Sequence, residues 1–114
     1  MARSQPKAPR DRYALKARGA DAIGAPTRDG FLVLAGAIAA QSSARHFDLE
    51  TMTFAKLRSQ MIADGILRRE KHGYVLALDF EFRSSSAAAS VLCGASKSGP
   101  RAWFRDDGQP LARC

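Results

Sequence analysis

Residues 84–94 read SSSAAASVLCG, and this stretch decides which fold class the chain can adopt. Serine is a favoured N-cap residue, alanine has the highest helix propensity, and glycine favours the left-handed position that follows a helix. The stretch therefore predicts a helix that begins at Ser84 and stops at Gly94. Its inner face is built from small and aliphatic side chains that let it lie close to a sheet, namely Ala87, Ala88, Val91 and Leu92.

Strand-like segments on both sides of this helix predict that sheet. Apolar and polar residues alternate over 13–18, which is the period of a half-buried strand. The turn signal Asp29-Gly30 precedes a short apolar run, which indicates a hairpin turn that leads into a central strand. In chain order, the predicted extended segments are residues 13–18, 20–25 and 31–35, a β-hairpin over 66–78, and a final strand over 101–105.

A further helix is predicted from Thr51, where the apolar residues take up helical spacing. Gly65 ends this helix, because a left-handed position after the last turn favours glycine. The two helices and the extended segments together predict an α+β fold, a small antiparallel β-sheet with two packed α-helices. The apolar positions of this helix, at i, i+3, i+7 and i+8, are Phe54, Leu57, Met61 and Ile62.

Length and charge limit the class of protein. The chain has 114 residues, 46% of them hydrophobic, which suits one compact domain and is too short for a two-domain enzyme. A formal charge of +7 excludes a protein that imitates nucleic acid and favours an anionic partner. Residues 1–18 hold six basic residues against one acidic residue, a net +5, so the rest carries only +2. We predict a flexible basic arm over residues 1–12 and a single α+β domain over 13–114.

Cysteine usage and hydropathy predict a cytoplasmic protein with no membrane partner. Cys93 and Cys114 are far apart, so the disulfide framework of a small secreted fold is not indicated. The longest apolar run, residues 31–40, is half the roughly 20 residues that a membrane-spanning helix needs. The N-terminus has no apolar signal region.

The sequence offers no group of residues that indicates an enzyme. His46 and His72 stand apart from each other and from both cysteines, so we expect neither a metal nor another cofactor. Neither histidine has a context that places it beside the serines at 84–86, where a helix cap is needed. Asp79 and Glu81 share one side of an extended segment, and such a pair more often forms a solvated edge than an acid–base pair.

The strongest functional pattern is a basic and aromatic cluster that begins at Ser84 and ends at Arg105. A serine-rich helix start offers N–H groups and hydroxyls to an anion, and the cations and aromatic residues that follow can hold phosphate and stack a base. The structural alternative is that the serines only cap the helix and that Trp103 belongs to the core. With the basic arm included, the candidate nucleic-acid-binding residues are Arg3, Lys7, Arg10, Arg12, Ser84, Ser86, Lys97, Ser98, Gly99, Arg101, Trp103 and Arg105.

Five stretches of the chain occur in an order that is typical of one protein family. They are Gly19-Ala20-Asp21-Ala22, residues 29–36, Leu57-Arg58 with residues 61–67, residues 84–94, and Trp103 with Asp107-Gly108 and Leu111. Over residues 13–112 the chain thereby resembles a family of bacterial domains of unknown function. Members of that family are commonly appended to the C-termini of GIY-YIG nucleases and to restriction-modification proteins. The resemblance implies an accessory module without chemistry of its own.

A second pattern lies in the latter half of the chain, in Ser84, Ser86, the pair Ser98-Gly99 and Trp103. It resembles the RAMA domain, which is named for its association with restriction enzymes and adenine methylases and is thought to bind modified DNA. In that resemblance Ser84 and Ser86 match the serines of a helix-start motif. The pair Ser98-Gly99 matches an Asn-Gly pair, and Trp103 matches a final tryptophan. Serine in place of asparagine removes an amide able to read a base edge, so the resemblance implies backbone binding rather than base recognition.

Pattern and resemblance together predict a function. We expect a non-catalytic accessory module that binds DNA, or a DNA-processing complex in a restriction or nuclease context. The alternative is a free-standing phage or mobile-element protein that binds a host defence complex and inhibits it through the surface near Trp103. An exposed Trp103 would support either kind of binding, whereas a buried Trp103 would favour a structural role.

Overall fold

The computed structural model describes residues 12–44, 52–105 and 108–109. Within these residues the chain forms seven strands and three helices, so the predicted α+β class is confirmed, with one short helix more than expected. In chain order the elements are β1 (Tyr13–Ala17), β2 (Ala20–Pro26), β3 (Phe31–Val33), β4 (Ile38–Ala39), α1 (Met52–Ala63), β5 (Leu67–Glu70), β6 (Gly73–Leu76), β7 (Phe80–Phe82), α2 (Ser85–Cys93) and α3 (Gly99–Ala102).

The predicted antiparallel sheet is confirmed, and β2 is the strand from which it extends. Gly24 of β2 pairs with Tyr13 of β1 on one edge and with Val33 of β3 on the other. Nearer its start, β2 also pairs with β4, through Asp21 and Ile38. β7 then pairs with β3, β6 with β4 and β5 with β6, so the order is β5-β6-β4-β2-β3-β7 with β1 beside β2.

α2 is the central helix of the domain. Ser84 is its N-cap, and the Ser84 Oγ accepts a hydrogen bond from the backbone N–H of Ala87 at 3.0 Å. Gly94 ends the helix in the left-handed region, with a φ of 65°, so both predicted ends are confirmed. All residues from Ala87 to Cys93 are buried, not only the predicted inner face, because α2 contacts four strands of the sheet and also α1 and α3. A helix that is apolar on every side belongs in such a position.

α1 covers α2 with the apolar residues that the helical spacing predicted. Met61 is buried, while Phe54, Leu57 and Ile62 are partly buried against the core. Gly65 follows the helix with a φ of 78°, which confirms the predicted stop. The predicted start, Thr51, lies outside the described residues.

The sequence prediction of strands is correct where the alternation is long and incomplete where it is short. The β-hairpin over 66–78 is confirmed by β5 and β6, which pair from Leu67 opposite Leu76 to Glu70 opposite Gly73. β4 was not predicted, and β7 was predicted only as an extended segment around Asp79 and Glu81, since two and three residues are too few to show a period. Their positions are set by the strands that they pair with.

The predicted final strand over 101–105 is wrong. Residues Gly99–Ala102 form the short helix α3, because Pro100 has a fixed φ that suits the first turn of a helix and no N–H to offer a strand. Only Phe104 is extended against the sheet. Its backbone exchanges two hydrogen bonds with Ala14 of β1, at 2.7 and 3.0 Å.

Candidate nucleic-acid interface

Trp103, the aromatic residue that the sequence pattern placed in the binding surface, lies in the core instead. Its exposed fraction is 0%, and its ring centroid lies 4.6 Å from that of Phe31. The indole Nε1 donates a hydrogen bond to the Ser85 carbonyl at 3.1 Å, so the polar end of the side chain is also satisfied. Trp103 cannot stack on a base from this position, and the structural alternative is the correct one for this residue.

The serines at the start of α2 hold the fold together. The Ser84 Oγ caps the helix, and the Ser86 Oγ accepts a hydrogen bond from the Gly99 N–H at 2.9 Å. Gly99 packs so tightly on Ser85 and Ser86 that an added Cβ would collide with both. Ser84, Ser86 and Gly99 therefore fix the helix start and α3, and their predicted role as phosphate contacts stays a prediction.

Three other predicted residues do come together, in an open groove of about 330 Å³ between β1 and α3. Lys97, Ser98 and Arg101 line it, and the structure adds five residues from outside the predicted set, two of them the alanines Ala17 and Ala102. We call this feature the basic groove and define it by Lys16, Ser96, Lys97, Ser98, Arg101 and Phe104. Among the described residues that line it there is no acidic side chain, so the groove suits an anion.

Buried hydrogen bonds fix the backbone of the basic groove. The Ser90 hydroxyl, fully buried in α2, accepts from the Lys97 N–H at 3.0 Å and donates to the Lys97 carbonyl at 3.4 Å. The bond between Ser86 and Gly99 holds α3, and the bridge between Ala14 and Phe104 holds the segment that follows it. The cations are thus carried on a rigid backbone, with flexible side chains that can adjust to phosphate positions.

Lys16, Ser96 and Phe104 line the groove but were not among the predicted binding residues, although Phe104 lies within the predicted basic and aromatic cluster. Lys16 is exposed on the polar face of β1, where Asp21 lies directly across the strand pair. Phe104 has an exposed fraction of 42%, while its neighbour Trp103 is fully buried. The alternation over 13–18 was a signal for an exposed Lys16, but nothing in the sequence indicated that β1 would lie beside Arg101.

The remaining predicted cations lie elsewhere. Arg12 is exposed just before β1. Arg105 is partly buried, and its backbone accepts from Gly108 and donates to Gln109 in a turn beyond the groove. Arg3, Lys7 and Arg10 lie outside the described residues, so the basic arm stays a prediction.

Two arginines that were not predicted as functional bind the C-terminal carbonyls of α2. Arg58 of α1 is buried, with only 4% exposed, and donates to the carbonyls of Val91 at 2.8 Å and Ala40 at 2.6 Å. Burial lowers the pKa of its guanidinium. Arg18 donates to the Cys93 carbonyl at 3.0 Å. A positive charge at this end of a helix is favourable, because the last carbonyls carry partial negative charge.

Arg18 occupies a backbone position that normally takes glycine or asparagine. It and Gly19 form the two-residue turn between β1 and β2, with φ values of 50° and 86°. The left-handed conformation is unfavourable for arginine, and its hydrogen bonds to Cys93 and Ser42 offset that cost.

Replacing Arg18 by alanine should therefore destabilise the domain more than replacing it by glycine. Both variants lose the side-chain hydrogen bonds, but only alanine keeps the left-handed strain, so we expect a difference of about 0.5–1 kcal/mol in favour of Arg18→Gly. Urea denaturation of the two variants measures it. If Arg18→Ala were the more stable variant, the turn would not be strained.

Asp79 and Glu81, the carboxylate pair considered in the sequence, make separate structural contacts. The Asp79 Oδ1 accepts from the Ala35 N–H at 2.8 Å, and Glu81 accepts from the Thr27 hydroxyl, so each carboxylate has its own structural partner. No three His, Cys, Asp or Glu side chains in residues 12–44 and 52–105 could hold a metal ion. None of the described helices is long and apolar enough to cross a membrane.

The fold and the groove define a class, a small α+β domain with a basic surface groove between its first strand and its last helix. Comparison with protein families assigns the chain to one family. Residues 13–114 match the family described as a domain of unknown function, DUF4357, and the chain belongs to that family. No curated protein and no solved structure matches the chain significantly.

Proposed function

We propose that this chain is a non-catalytic accessory module that binds nucleic acid through the basic groove. The observation that carries the proposal is that Lys16, Lys97 and Arg101 line the same groove as Phe104, which is 42% exposed. Lys97, Arg101 and Phe104 are close in the sequence, and only the fold brings Lys16 into the same groove. Protein surfaces that bind nucleic acid use cations to hold phosphates and accessible aromatic rings to stack on bases, and this groove has both.

The charge distribution supports a phosphate backbone as the ligand. Lysine and arginine side chains that neutralise phosphates release condensed counterions, which makes binding favourable and dependent on salt. The predicted basic arm over residues 1–12 would add further contacts of the same kind. Because the groove presents hydroxyls at Ser96 and Ser98 and no side-chain amide, such binding would discriminate weakly among base sequences.

The resemblances favour DNA in a nuclease or restriction context. Domains appended to GIY-YIG nucleases and restriction-modification proteins act close to DNA, and a separate module of this type would bring its partner to DNA or bind beside it. The burial of Trp103 removes the predicted aromatic anchor from both kinds of binding, whereas the exposed Phe104 lies with cations in the basic groove and supports nucleic acid. We therefore propose nucleic acid, rather than a defence protein, as the direct ligand.

Neutralising the groove should weaken binding and reduce its salt dependence. The groove variant combines Lys16→Gln, Lys97→Gln and Arg101→Gln. Since each phosphate contact contributes about 0.7–0.9 to the slope of log K against log salt, we expect that slope to become shallower by about 2 to 3 and the affinity to fall at least about tenfold. Fluorescence anisotropy of labelled single-stranded and duplex DNA at two salt concentrations measures both quantities.

A control variant with the same loss of charge tests whether the groove itself matters. Arg28→Gln, Lys56→Gln and Lys71→Gln remove three exposed cations that do not line the groove. The control variant should keep most of the affinity, because long-range attraction is screened at about 0.1 M salt. Equal losses in the two variants would refute a groove site, and no binding of the wild-type protein at low salt would refute the function.

A further inference from the structure

The exposed aromatic ring in the basic groove indicates which form of nucleic acid binds there. Phe104 is 42% exposed, and in the described part of the chain only Ile23 and Leu78 are other large apolar side chains with comparable exposure. Neither of those two lines the basic groove, whereas Phe104 stands beside Lys16 and Arg101. The ring thus lies where a bound phosphate would bring the attached base.

A base pair inside an undistorted duplex offers no face to this ring. In a duplex both faces of each base are covered by neighbouring bases, and only phosphates, sugars and base edges are accessible. An unpaired base presents a free face, and stacking on an aromatic side chain strengthens binding by about 5- to 150-fold per base. A groove of about 330 Å³ is at the small end of ligand sites and has room for a single base.

The ring is positioned before any ligand arrives. Phe104 is held by its two backbone hydrogen bonds to Ala14, and the preceding residue, Trp103, is anchored in the core. Because the backbone is already ordered, a base that stacks on the ring costs little additional conformational entropy.

We infer that the basic groove is a binding site for single-stranded nucleic acid, in which an unpaired base stacks on Phe104 while Lys16, Lys97 and Arg101 hold the adjoining phosphates. The hydroxyls of Ser96 and Ser98 lie within the same groove and can bond to sugar or base edges without selecting one base. Single-stranded DNA and RNA share the chemistry required, an unpaired base joined to phosphates. This inference rests on the proposed function and specifies its ligand.

The test compares wild-type protein with Phe104→Ala and Phe104→Trp, using fluorescein-labelled dT12, rU12 and a 12-base-pair DNA duplex. Phe104→Ala should weaken binding to the single strands by about 5- to 150-fold, with duplex binding and the salt slope unchanged. Phe104→Trp should restore binding to the single strands. The fluorescence of the tryptophan introduced at this exposed position should be quenched by single strands but not by the duplex. The rU12 arm shows whether RNA is accepted as well as DNA.

The outcomes separate this inference from the function on which it rests. If the wild-type protein binds neither single strands nor duplex, the proposed function fails. If it binds and the groove variant is defective, while Phe104→Ala binds single strands as well as the wild type does, only the stacking inference fails. An equal loss for duplex and single strands in Phe104→Ala also overturns it. Thermal unfolding of each variant confirms that the protein compared is folded.

Discussion

Replacing Trp103 with alanine is expected to lower the free energy of unfolding by about 3–5 kcal/mol, the largest effect of any single substitution that we predict. Trp103 is the largest fully buried side chain, and its removal leaves a cavity beside Phe31 at the junction of α2, α3 and the sheet. Backbone contacts such as the packing of Gly99 on Ser85 restrict how far the surroundings can collapse into that space. Urea denaturation followed by far-UV circular dichroism measures the loss.

The neighbouring residue provides a matched control. Phe104→Ala removes an aromatic ring one position along the chain, but from a side chain that is already 42% exposed, so we expect a cost of only about 1 kcal/mol. Trp103→Phe keeps most of the volume and loses the hydrogen bond to Ser85, for an intermediate cost of about 1–2 kcal/mol. Similar costs for Trp103→Ala and Phe104→Ala would contradict the burial of Trp103.

Arg58→Met is expected to destabilise the domain by about 2–4 kcal/mol. The substitution leaves the carbonyls of Val91 and Ala40 without their buried donor, and hydrogen bonds to a charged group contribute about 1.5–3 kcal/mol each. The net loss is smaller than the sum of the two, because removing a buried guanidinium also removes its desolvation cost, the same cost that lowers its pKa. Chemical denaturation again gives the free energy.

Lys56→Met is the control for Arg58, since it removes an exposed cation from the same helix and should cost less than about 0.5 kcal/mol. The free-energy cost of Arg58→Lys should fall between those of Arg58→Met and Lys56→Met, because one ammonium group cannot easily reach both carbonyls that the guanidinium spans. An Arg58→Met variant as stable as Lys56→Met would show that the helix end needs no internal donor.

The predictions from sequence were most accurate where structure depends on a few adjacent residues. The ends of α2 are examples, since Ser84 caps the N–H three residues ahead and Gly94 needs no partner to adopt a positive φ. The stop at Gly65 follows from the same local preference. The segment around Pro100 shows the limit of such rules, because residues 101–105 suggested a strand while the proline and the packing of Gly99 favoured a helical turn.

The candidate site was predicted only in part. Sequence reasoning selected Lys97, Ser98 and Arg101 but paired them with Trp103, and no local rule distinguishes that residue from Phe104. Two successive residues of an extended segment point to opposite sides, so one aromatic ring enters the core and the other faces outward. The bridge between Phe104 and Ala14 decides which of the two rings faces outward, and that bridge joins the two ends of the domain.

By itself, then, the sequence determined the α+β class, both ends of α2, the end of α1 at Gly65, and the surplus of basic residues in the chain. Only the tertiary structure decided that Arg58 is buried, that Trp103 is core, and that Lys16 shares a groove with Arg101. The physical reason is the range of the interactions. Caps, turns and periodicity act over a few residues, whereas the groove exists because β1 pairs with a segment from the far end of the domain.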